Sequence, residues 1–215
     1  MTGRTTVSAD VAQTAMQQAL QAQTSTTSTA PTGTIPPIIV QAGSGHVLTV
    51  GTGMEFATLS AALHASVDGD TILVRAGTYV NDFCTVNTNV TVLALGGMVH
   101  EVATVPPPND KGLIVTNANL TIRGFSFTGG SDGSPDGNVS AIRYQAGNLN
   151  VSNCDIYGMQ EGILATPNVA GTGTITISNS EVYDCGTGDG LSHDIYVGAV
   201  ADFTLSDSYI HNANV

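Results

Sequence analysis

Four segments of this chain align with one another without gaps. They are Leu120-Thr-Ile-Arg-Gly-Phe-Ser-Phe-Thr-Gly-Gly130, Leu149-Asn-Val-Ser-Asn-Cys-Asp-Ile-Tyr-Gly-Met159, Ile175-Thr-Ile-Ser-Asn-Ser-Glu-Val-Tyr-Asp-Cys185 and Phe203-Thr-Leu-Ser-Asp-Ser-Tyr-Ile-His-Asn-Ala213. Their starts lie 29, 26 and 28 residues apart. A period of this size is the mark of a solenoid, in which each repeat buries its apolar face only by stacking on the next. The first and third columns are apolar, the eighth is Phe127, Ile156, Val182 or Ile210, and the fifth is Gly124, Asn153, Asn179 or Asp207. Gly, Asn and Asp are the residues that best tolerate a left-handed backbone, so the fifth column reads as a tight bend between two short strands. A third strand per coil follows at 113–115, 141–143, 162–164 and 194–196. If Ile114, Ile142, Ile163 and Ile195 form one inward ladder, alternation turns Val115, Arg143, Leu164 and Tyr196 outward, with Leu113, Ala141, Gly162 and Asp194.

These columns predict an all-β fold: a right-handed parallel β-helix of roughly five coils with an N-terminal capping helix. Thr58 is placed to cap that helix, Leu59, Leu63 and Val67 to form its apolar face, and Gly69-Asp70 to end it before a strand from Thr71 to Arg75. Residues 1–45, rich in Gln, Thr, Ser and Ala, read as a low-complexity tail and linker, and 46–215 as the β-helix. The sequence stops at Val215 directly after a full-pattern coil, with no polar cap. A fragment lacking its C-terminal coils or cap is therefore expected, or a last coil open to a second subunit.

The stretch from Val50-Gly-Thr-Gly-Met-Glu-Phe to Gly69-Asp-Thr-Ile-Leu-Val-Arg-Ala-Gly-Thr-Tyr79 resembles the opening of pectate-lyase-like and pectin-esterase-like β-helix proteins. Membership of that superfamily implies polysaccharide lyases, hydrolases, epimerases or esterases, alongside non-catalytic adhesins and phage tailspikes. It implies a substrate lying along an outward strand face and its bordering loops. The run Gly190-Leu-Ser-His-Asp-Ile-Tyr-Val-Gly198 is similar to the Asp/His/Tyr sets of alginate epimerases, without their Asp-Pro-His order.

Seventeen acidic residues against five basic ones give a negative mean surface field, which disfavours nucleic acid and anionic membranes as partners. No stretch approaches the ~20 apolar residues needed to span a bilayer. No signal peptide is recognisable, although the expected setting is extracellular or at the cell surface. The three cysteines, Cys84, Cys154 and Cys185, lie beside apolar runs at no metal-ligand spacing, and read as buried free thiols.

The expected partner is a polysaccharide. Uronate lyases and epimerases remove the C5 proton beside a carboxylate, and need a base and a positive group to neutralise the developing charge. The outward strip supplies His193, Tyr196 and Arg143 as catalytic candidates, with Asp194, Glu161 and Leu164 as substrate-binding candidates. Asp132, Asp136, Asp184 and Asp189, in Gly-rich loops, are candidate Ca²⁺ ligands, and such a cation would bridge an acidic sugar to an acidic protein. A lyase or C5-epimerase is the favoured function, and a non-catalytic surface-attachment or sugar-binding β-helix is the alternative.

Overall fold

The computed structural model describes residues 45–133, 137–188 and 190–214. The proposed tail therefore lies outside the described residues, as do Asp136 and Asp189. Strand β1 (Val47–Val50) leads into helix α1 (Leu59–Ala65), and the first coil follows as β2 (Thr71–Val80) and β3 (Cys84–Val86). The second is β4 (Val90–Val102) and β5 (Gly112–Thr116). The third is β6 (Leu120–Arg123), β7 (Phe125–Thr128) and β8 (Ser140–Tyr144), and the fourth β9 (Leu149–Ser152), β10 (Asp155–Tyr157) and β11 (Glu161–Ala165). The fifth is β12 (Thr174–Ser178), β13 (Glu181–Tyr183) and β14 (Ile195–Val197), and β15 (Asp202–Ser206) and β16 (Tyr209–His211) begin a sixth.

Every strand pair among the described residues is parallel and joins consecutive coils, so the chain is a right-handed parallel β-helix. It has three walls. The first runs from β1 through the leading halves of β2 and β4 to β6, β9, β12 and β15. The second takes the trailing halves of β2 and β4 and continues as β7, β10, β13 and β16, and the third is β3, β5, β8, β11 and β14.

The aligned columns become stacked ladders. Leu48, Ile72, Val92, Ile122, Val151, Ile177 and Leu205 pair coil to coil on the first wall. Ile114, Ile142, Ile163 and Ile195 do so on the third. Fully burying one such side chain is worth about 1.5–3 kcal/mol, so the ladders carry the fold. The fifth column is left-handed as expected, with φ of 80° at Gly124, 50° at Asn153, 49° at Asn179 and 47° at Asp207. The amides of the first three donate to the coil above: Gly124 to Ser152, Asn153 to Ser178 and Asn179 to Ser206.

Three features escape the gapless alignment. The tenth column is a second left-handed bend, at Gly129, Gly158, Asp184 and Asn212. At a third corner, the side chains of Asn89, Asn119 and Asn148 each accept a backbone N–H from the next coil. The second coil, finally, obeys the same pattern with an insertion. Leu93 pairs with Arg123 and Val99 with Phe125, so Ala94 to Met98 bulge where the third coil has Gly124 alone.

Helix α1 is capped by Thr58, whose hydroxyl accepts the Ala61 N–H, and it buries Leu59 and Leu63. Val67 departs from expectation: the helix stops at Ala65, leaving Val67 exposed. The Asp82 carboxylate, reaching over from the first coil, accepts the N–H groups of Leu59 and Ser60 at 2.6 and 3.2 Å. It satisfies two donors that a helix leaves open at its start. All three cysteines are buried and free.

Candidate functional site

Strand register on the third wall puts Thr85, Val115, Arg143, Leu164 and Tyr196 in one outward column. Arg143 and Tyr196 both pair with Leu164 from opposite sides, two strand spacings apart, or about 9.6 Å between backbones. Outward does not mean exposed here. Leu164, held between Arg143 and Tyr196, is only 7 % exposed, and Val115 is buried, whereas Tyr196 is 42 % exposed. Leu164 therefore supplies the floor between two projecting side chains rather than a broad contact surface.

Alternation also turned Leu113, Ala141, Gly162 and Asp194 outward, but each of these is buried, and Leu113 and Ala141 pack with the apolar core. Asp194 is the consequential case. Only 4 % of it is exposed, and its Oδ1 accepts the Cys185 N–H at 3.1 Å, so it ties the Cys185–His193 loop to the wall instead of meeting solvent. Burial raises its carboxyl pKa, opposed by the Cys185 donors. Gly162 fits the same crowding, since a Cβ there would run into the Asp194 carbonyl. That close approach lets Gly162 and Ile163 donate their N–H groups to His193 and Asp194.

His193 stands at the border of the column with 43 % of its side chain exposed. Its ring lies 5.4 Å from that of Tyr196, tilted by 60°. Behind it is Glu161, itself 4 % exposed. Glu161 Oε2 accepts the His193 N–H at 2.9 Å and lies 3.7 Å from its Nδ1. Arg143 Nη1 donates to the Asn138 side-chain oxygen at 3.1 Å, while its buried Nε has no hydrogen-bond partner. Burial lowers the guanidinium pKa and the nearby Glu161 charge opposes that shift. The fold thus gathers Arg143, Glu161, Leu164, His193 and Tyr196 and leaves Asp194 covered by the Cys185–His193 loop. The grouping offers an imidazole open to solvent, a carboxylate behind it, a flat ring beside it and a cation two coils away.

The two described loop acids, Asp132 and Asp184, lie in different coils. Asp132, half-buried, accepts a hydrogen bond from Gln160 Nε2 at 3.1 Å. Asp184 is exposed and occupies the tenth-column bend at φ 53°, two coils further on. Among the described residues no three His, Cys, Asp or Glu side chains are grouped as a metal would need.

A second concentration of chemistry, on the second wall, went unread in the sequence although the repeat alignment holds it. Columns seven and nine flank the inward eighth column, and therefore face outward. The seventh reads Ser126, Asp155, Glu181, Tyr209, and the ninth Thr128, Tyr157, Tyr183, His211. The rings of Tyr157 and Tyr183 stack at 5.2 Å and 11°, and those of Tyr183 and His211 at 5.1 Å and 1°.

No helix among the described residues is long and apolar enough to cross a membrane. No protein-family model matches the chain, and no curated protein matches its sequence. Two solved structures of the pectin methylesterase from Aspergillus niger are similar in fold. The deglycosylated form is 14 % identical, with 79 % of this chain and 87 % of that chain covered and a TM-score of 0.36. The penultimately deglycosylated form is 16 % identical, with 82 % and 88 % covered and a TM-score of 0.31. Superpositions this loose carry no information about the chemistry of this chain, which rests on its own residues.

Proposed function

We propose that this protein is an extracellular or surface-located β-helix that handles a uronate-containing polysaccharide at the third wall, as a lyase or C5-epimerase. The observation that carries the reading is the contact between the His193 and Tyr196 rings, with Arg143 in the same column two coils away. Arg143 is the cation that answers a uronate carboxylate in an otherwise negative field. His193 takes the C5 proton, imidazole being the side chain that most often serves as a general base. Tyr196 gives the sugar ring a flat partner and a hydroxyl for proton return. Glu161, buried behind His193, holds the imidazole and its backbone rather than touching the sugar. Ca²⁺ would bridge further carboxylates through the loops of Asp132 and Asp136 and of Asp184 and Asp189.

The test is incubation of the protein with alginate and pectate, following the absorbance of the unsaturated product and, for epimerisation, exchange of the C5 proton. Turnover is expected in the wild type and absent in His193→Ala and Tyr196→Phe, with far-UV circular dichroism unchanged. Chelation of Ca²⁺ should lower it. Binding without turnover or exchange would assign the chain to the second reading, a non-catalytic sugar-binding or attachment β-helix of the adhesin or tailspike kind.

A further inference from the structure

The second wall carries a strip built unlike the third. Each of its last three coils contributes two outward side chains two residues apart: Asp155 with Tyr157, Glu181 with Tyr183, and Tyr209 with His211. The three strands are in register, so the pairs repeat at the strand spacing of about 4.8 Å along the axis. The near-parallel stacking of Tyr157, Tyr183 and His211 fixes their rings edge-outward, so that a row of hydroxyl and imidazole edges faces solvent. Tyr209, in the acidic column beside the rings, stacks on His211 at 4.1 Å and 25° and is itself 63 % exposed. Beside the rings, Glu181 Oε1 is 2.9 Å from His211 Nε2, and Asp155 Oδ1 is buried without a hydrogen-bond partner.

From this arrangement we propose a second carbohydrate site, on the second wall, that binds an uncharged, hydroxyl-rich glycan lying along the solenoid axis. The chemistry selects that occupant. Carboxylate oxygens accept hydrogen bonds from sugar hydroxyls, phenol and imidazole edges both donate and accept, and an exposed aromatic face packs against the apolar face of a pyranose. Charge selects against a polyanion. None of the strand segments of this wall, Gly77 to Val80, Val99 to Val102, β7, β10, β13 and β16, carries Lys or Arg, while Asp155, Glu181 and the neighbouring Asp184 are acidic. The site therefore differs from the third-wall site both in place and in ligand class. It gains most from a stiff chain whose successive residues meet successive coils, because the strip is rigid before binding.

Electrophoresis of the whole protein through native gels containing hydroxyethylcellulose, galactomannan or polygalacturonate tests the proposal. Retardation is expected in at least one neutral gel, weakened about tenfold or more in apparent Kd by Tyr209→Ala and by Glu181→Ala. Arg143→Ala and Tyr196→Ala should leave that retardation intact, since they touch only the uronate site, so the two sites fail or succeed separately. Tyr209 and Glu181 are both exposed, and circular dichroism checks that the variants fold. Tyr183→Phe, which removes one hydroxyl and keeps the stack, gives the same direction of effect if either does not. No retardation in either neutral gel, retardation by polygalacturonate alone, or retardation unmoved by all three second-wall variants would overturn the proposal.

Discussion

Glu161 accepts the backbone N–H of His193 at 2.9 Å across two successive passages of the chain along the third wall, with its Oε2 3.7 Å from the imidazole Nδ1. A nearly buried carboxylate thus fixes the one imidazole at the border of the candidate site. Glu161→Ala leaves the His193 N–H without that acceptor and should cost about 1–3 kcal/mol. Glu161→Gln keeps an acceptor oxygen and should cost less. Urea midpoints of the two variants measure the difference, and equal losses would show that the hydrogen bond is not what Glu161 supplies.

Glu101 stands in the inward eighth column, paired with Tyr79 below and Phe127 above, where other coils have Ile156, Val182 and Ile210. Its Oε1 is buried with no partner. Burial, with Asp82 adding to it, pushes its pKa up to about 9. An unfolded-chain glutamate titrates at about 4.3. Between these values the folded protein holds a proton that the unfolded chain has released, so this contribution to stability is complete below about pH 4 and declines until about pH 9. Glu101→Gln should therefore raise the urea midpoint over wild type more at pH 8 than at pH 5. A gap that does not widen with pH would assign the titration elsewhere.

Asn179 holds a left-handed bend at φ 49° with its N–H donated to Ser206. Asn179→Ala should cost about 1 kcal/mol or somewhat more, because a Cβ without the asparagine side chain's local hydrogen bonding disfavours that region, while Asn179→Gly should be close to neutral. Asn153, in the coil below, should behave alike. Thermal unfolding of the four variants checks this, and Ala and Gly variants of equal stability would contradict it.

Cys154 and Cys185 are buried, and burial pushes their thiols up to about 11 and about 12 respectively. Cys84 is buried beside Asp82 and Glu101 and is raised as well. With so little thiolate at neutral pH, a thiol-specific disulfide reagent should find none of the three in the native protein and all three in denaturant. Rapid labelling of the native chain would mean that a coil opens locally.

The repeat columns by themselves determined the parallel β-helix, its inward ladders and the bend at Asn153 and Asn179, and the cap and apolar spacing after Thr58 determined the covering helix. The columns could do so because stacking places like residues over like, and the register is then written in the spacing of the sequence. Columns seven and nine held the second-wall strip just as legibly, since alternation about the buried eighth column is local. The second coil was obscured by its insertion at 94–98, which shifts the pattern without changing the walls. What the tertiary structure alone decided is which outward residues meet solvent. Alternation sets direction, but exposure depends on what folds over the strand end: Asp194 points outward and is spent on the Cys185 amide, Leu164 is closed in by Arg143 and Tyr196, and Glu161 turns to the backbone of His193. Those contacts join residues from different coils through loops of unequal length, and nothing in a column of a repeat encodes the path of a loop.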